Sequence, residues 1–194
     1  MIKNKGLLER SMIVKEVTRK EIEARLKDMG DYVKMDYLES CLRKHLDFDT
    51  KKFILINLAA LYENRKMYFD AGKAMRTAAD INTTFQGKVT DFMRAIQLFI
   101  RSEKFDEVDI TLSKALASAD DKDRGKIKQT VKEFYKVHAK LCEQKGKKRS
   151  AAEAYERMLT LPVNEVEKQE TKNSLMRLYN GLGKVREYYS VQRL

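Results

Sequence analysis

LAALYENRKMYFDAGKAMRTAADI, running from Leu58 to Ile81, sets alanine repeatedly where a helical core ordinarily takes bulk. Just before the polar turn ENRK (Glu63 to Lys66), Leu55, Leu58, Ala59 and Tyr62 stand at i, i+3, i+4 and i+7, one face of a helix. After that turn, Tyr68, Ala71, Met75 and Ala78 fall on one face of a second helix. Small side chains at such positions let two helix backbones approach, while aromatic or methionine side chains fill the grooves beside them. The alanines are therefore expected to be buried contact points, and bulk at Ala71 or Ala78 would push the pair apart.

The same arrangement recurs 37 residues on: Ala71 answers to Val108, Tyr62 to Phe99, Tyr68 to Phe105, Met75 to Leu112 and Ala78 to Ala115. A shared offset across several positions is the signature of an internal repeat. Downstream, Tyr135, His138, Ala139 and Cys142 precede a turn at Gly146, followed by Ala151, Tyr155 and Met158, with Pro162 ending that helix. Beyond it come Leu175, Met176 and Tyr179, a turn at Gly183 and a closing helix through Tyr188. Upstream, Ile22, Leu26 and Met29 lead into a Gly30-Asp31 turn and then Tyr32, Met35, Leu38 and Leu42. Helix starts are marked by Thr18 with Glu21 and Asn164 with Glu167, both at capping-box spacing, and by Asp49-Thr50 and the run Asp120 to Asp123.

These pairs resemble the tetratricopeptide repeat (TPR) family. The resemblance is carried by Ala59 before Tyr62 in a first helix, GDY at Gly30–Tyr32, and Ala71, Met75 and Ala78 in a second helix. The family's leading tryptophan is absent, Ile96 and Met176 replace its small residue, and Pro162 is the single terminal proline. The resemblance implies an all-α fold, a right-handed α-solenoid of about five TPR-like helix-turn-helix repeats over residues 18–194; residues 1–17, with Leu7, Leu8 and Met12, read as an amphipathic segment before it.

Composition agrees with that class: one proline and eight glycines in 194 residues leave too little punctuation for a strand-and-turn architecture. Two cysteines make no disulfide framework, the N-terminal stretch lacks signal-peptide character, and no run has the length of a membrane span, so a cytoplasmic chain is expected. There is no glycine-rich phosphate loop, no GxSxG and no HExxH, so neither an enzyme nor a cofactor is expected. Cys41/His45 and His138/Cys142 are both i, i+4 pairs and together match the donor set of a tetrahedral zinc site, but they fall in the first and fourth units, so no metal is expected.

A net charge of +11, from 40 Lys+Arg against 29 Asp+Glu, favours anionic contacts. Much of that excess lies between Lys122 and Arg149, where Lys128, Lys132, Lys136 and Lys140 recur every four residues and Lys147, Lys148 and Arg149 follow. This is a candidate anion-binding surface, and its alternative is a solvated helix face. Aromatic interleaving for single-strand stacking is thin, since Phe134 and Tyr135 are expected at least partly in the core.

In the TPR resemblance the concave face of the first helices holds peptides. Lys20, Asn57 and Arg94 fall where chaperone-binding members place a carboxylate clamp, but Ala24 and Thr90 stand where a further asparagine and lysine belong. The helix KKFILINLAALY is apolar nearly all round, with Phe53, Ile56 and Ala60 off the main face. Candidate groove residues are thus Lys20, Phe53, Ile56, Asn57, Met93, Arg94 and Gln97. The expected function is a non-catalytic adaptor that binds a protein or peptide. The alternatives are an RNA- or ribosome-associated factor using the basic surface, a trafficking adaptor suggested by MRAIQLFIRSEKF, and a homodimer contact through the apolar helix.

Overall fold

A computed structural model describes residues 14–193; the apolar positions Leu7, Leu8 and Met12 of the expected N-terminal segment lie outside this range. The fold is all-α: among the described residues there are ten helices and no strand. They are α1 (Arg19–Leu26), α2 (Asp31–Leu42), α3 (Phe48–Asn64), α4 (Tyr68–Ile81), α5 (Phe85–Arg101), α6 (Phe105–Ala117), α7 (Asp121–Gln144), α8 (Lys148–Leu159), α9 (Glu165–Leu182) and α10 (Val185–Gln192). None of the described helices is long and apolar enough to cross a membrane.

Local chemistry sets the boundaries. Both expected capping boxes form, Thr18 with Glu21 on α1 and Asn164 with Glu167 on α9. Asp120 caps α7 by accepting from the Asp123 N–H at 3.0 Å. Helix α3 starts earlier than Asp49-Thr50 suggested: Asp47 is its cap, and its carboxylate accepts from the Thr50 N–H at 2.9 Å. Thr84 caps α5 in the same way through the Gly87 N–H.

Taking the helices as successive pairs, α1/α2 to α9/α10, four of the five turns within a pair are built alike. Lys66, Glu103, Gly146 and Gly183 each adopt a left-handed φ of 59 to 70°. The N–H of the next residue then reaches back to close the helix end: Met67 to the Tyr62 carbonyl, Lys104 to Phe99, Lys147 to Cys142 and Lys184 to Tyr179, all at 2.8–3.0 Å. The first pair differs, for Gly30 has an ordinary φ of −74° and serves as the N-cap of α2. Glycine tolerates the left-handed region freely, whereas a residue with a Cβ pays about 1–2 kcal/mol there. Lys66→Gly is accordingly expected to stabilise the chain by about 0.5–1 kcal/mol, after the added freedom of the unfolded chain is subtracted. A urea midpoint unchanged or lowered would contradict this.

The helices pack mainly on their neighbours in sequence, from α2 on α3 to α9 on α10, with α5 also lying against α7. One apolar cluster runs through all of them, from Val14 to Val191. Ala59, Ala71, Ala78 and Ala115 are all buried within it, as their spacing requires. The most extensive interface is α4 against α5, where Gly72 leaves room for the fully buried ring of Phe99 that a Cβ would meet.

Candidate ligand-binding groove

Helix α7 carries two apolar stripes. Ile127, Val131, Tyr135, Ala139 and Cys142 turn into the core, while Phe134, Val137 and Leu141 lie on another side. Val137 is 66% exposed and Leu141 is 42% exposed, although both are aliphatic. With Ile100 of α5 they line a largely apolar groove of about 450 Å³ between α5 and α7, bordered by Gln97, Arg101, Glu133 and His138. An apolar floor with a few polar groups at the rim is the usual construction of a ligand site.

The groove residues expected from sequence divide sharply. Gln97 lines the groove, where its Oε1 accepts from Arg94 at 2.6 Å. Arg94 is also ion-paired with Glu63 of α3, and Arg101 donates to the same carboxylate at 2.5 Å while lying over the Tyr68 ring. Met93 is half-buried against the core. Asn57 donates its amide to the Phe53 carbonyl of its own helix at 2.8 Å, and the guanidinium of Arg19 covers the Phe53 ring. Ile56 is exposed on α3 and Lys20 on α1, outside the lining of the α5/α7 groove. Of the clamp positions, Asn57 and Arg94 thus hold partners within the chain, and Lys20 lies on a separate helix.

The basic stripe is interrupted as well. Lys132 is 2% exposed, and its ammonium donates to both Glu167 oxygens at 2.7 and 2.8 Å, so it is an internal ion pair and no part of an anion-binding surface. Lys147 pairs with Glu103 at 3.1 Å, and Lys148 donates to the Gly181 carbonyl at 3.4 Å. Lys128 and Lys136 are half-buried, whereas Lys140 and Arg149 are exposed. The partner of Lys132 lies on the start of α9, 35 residues away, and no local pattern marks it.

Cys41 is buried on α2 while His45 is exposed; among the described residues His138 and Cys142 group with Glu103 and not with that pair. His138 and Cys142 are both buried with Nε2 and Sγ 3.4 Å apart, and Glu103 brings a carboxylate from the turn between α5 and α6. Burial pushes the Cys142 thiol up and holds the His138 imidazole below its ordinary value of 6.5. A histidine whose folded pKa is depressed binds fewer protons folded than unfolded, so its stabilising contribution is complete above about pH 6.5 and is lost as pH falls toward the folded pKa. His138→Gln is expected to flatten that part of the stability curve, seen as a shallower change of urea midpoint between neutral and mildly acidic pH. An unaltered slope would show that His138 is not the group responsible.

Compared with known proteins, the chain matches no family model and no curated sequence.

Proposed function

We propose that the helix pairs form a TPR-like, right-handed solenoid that acts as a non-catalytic adaptor, taking an apolar segment of a protein or peptide into the α5/α7 groove. The observation that carries this reading is the exposure of Val137 and Leu141 beside Phe134 and Ile100, an apolar strip left uncovered between two first helices. Support for the repeat architecture comes from the four matching left-handed turns and the neighbour-by-neighbour packing. The groove admits one face of an amphipathic helix, with Gln97, Arg101 and Glu133 placed to orient it.

The reading as a nucleic-acid factor loses ground to the buried ion pair of Lys132, which removes that cation from the basic surface. An array of amphipathic peptides separates the two. Binding that disappears with Val137→Asp or Leu141→Asp, persists with Lys128→Glu and Lys140→Glu, and changes little with salt is the expected result. Steep salt dependence together with loss in the lysine variants would replace the peptide reading with phosphate-backbone binding.

A further inference from the structure

Sγ of Cys142 and Nε2 of His138 lie 3.4 Å apart on consecutive turns of α7, and the Glu103 carboxylate joins them so that the three donor atoms all lie within 4.8 Å of one another. A tetrahedral ion with thiolate at about 2.3 Å and imidazole at about 2.0 Å holds those two atoms about 3.5 Å apart. The α7 donors already stand at that separation. Glu103 is held at φ 59°, in the left-handed region that disfavours a side chain, at the turn position where Gly146 and Gly183 serve in other pairs. One of its oxygens accepts from the Ser150 hydroxyl at 2.8 Å, and the other is neutralised by Lys147, whose side chain is 57% exposed.

We infer that Glu103, His138 and Cys142 form a binding site for one divalent transition-metal ion of the zinc class, adjoining the α5/α7 groove that His138 also borders. The mixed sulfur, nitrogen and oxygen donors suit Zn²⁺ or Co²⁺ rather than Mg²⁺ or Ca²⁺. Binding exchanges cations: the ion displaces the Lys147 ammonium from Glu103, the Cys142 S–H proton leaves to solvent, and His138 stays neutral. Thiolate and carboxylate then balance the ion's two charges, Ser150 orients the ligating carboxylate from outside, and a fourth position is left for water. The ion would tie the turn after α5 to α7. A nucleophilic thiol is the weaker reading of the pair, because burial keeps Cys142 protonated in the metal-free chain.

Titration of the full chain with Co²⁺ at neutral pH tests this. The expected result is a thiolate-to-cobalt absorption band in the near ultraviolet that saturates at one ion per chain, is bleached by Zn²⁺, vanishes in Cys142→Ser and survives in Cys41→Ser. Glu103→Gln is expected to weaken binding by about tenfold or more, on the scale of losing a ligand or its support. Lys147→Met alters only an exposed side chain, so it leaves the fold intact, and it is expected to tighten binding because the competing ammonium is gone. Absence of the band, its persistence in Cys142→Ser, its loss in Cys41→Ser, or an unchanged or weakened affinity in Lys147→Met would overturn the assignment.

Discussion

Glu167→Gln is expected to destabilise the chain by about 3–5 kcal/mol, the cost of leaving one charge of a buried pair without its partner. The Lys132 side chain is 3% exposed, and both Glu167 oxygens receive its ammonium. Glutamine retains an oxygen able to accept from the Asn164 N–H, so the cap of α9 survives and the change isolates the charge. The reverse substitution, Lys132→Met, is expected to cost less, since Glu167 retains 14% exposure and the helix N-terminus beside it. The Lys132 hydrogen bond, followed by the Asn164 amide, holds the Glu167 carboxyl below its ordinary value of 4.5. A depressed carboxyl stabilises above its unfolded pKa, so this contribution is present at neutral pH and is lost as pH falls below about 4.5 toward the folded value. Urea unfolding of the three proteins reads the order directly, and equal midpoints for Glu167→Gln and the parent chain would show that the pair contributes nothing.

Phe99→Ala is expected to cost a further about 3–5 kcal/mol, through lost burial and the cavity left behind. Its ring is wholly buried, with Phe69 at 6.1 Å and the Arg76 guanidinium at 5.2 Å from its centre. A Cβ added at Gly72 would lie 2.6 Å from Phe99 Cε1, and the ring is hemmed in on all sides, so Gly72→Ala is expected to cost about 1–3 kcal/mol by overpacking. In the Phe99→Ala background the obstruction is gone. There Gly72→Ala is expected to stabilise by about 1 kcal/mol, because alanine is the better helix former. The reversal of sign is the signature of direct contact between α4 and α5, and strictly additive effects would mean that Gly72 and Phe99 do not meet.

These two sites differ in how far the sequence discloses them. The alanine and aromatic spacing around Ala71, Phe99 and Ala115 reports burial faithfully, because helical periodicity is set by the local backbone. Turn positions were equally legible at Gly146 and Gly183, where glycine marks the left-handed residue, but Glu103 gave no such mark. Long-range pairing left no trace: Lys132 looks like any other lysine of its stripe until Glu167 is placed beside it. Nor did spacing reveal that Glu103 would meet His138 and Cys142, since its donor comes from another unit. The α5/α7 groove was half visible. Gln97 is among the positions that the sequence offers for a groove and it borders this one, while Val137 and Leu141, at i+3 and i+7 from Phe134, form a second stripe whose apolar character is masked in the sequence by the lysines between them.

Methyl NMR of the chain with a bound amphipathic peptide is the most direct measurement of whether that groove is the binding surface. The expected result is a set of shifted or broadened methyls at Ile100, Val137 and Leu141, with the deeply buried methyls of Ile22 and Leu175 unmoved. Perturbation confined to the exposed face of α3 around Ile56, or to residues flanking Lys140 and Arg149 while the three groove methyls stay fixed, would contradict it.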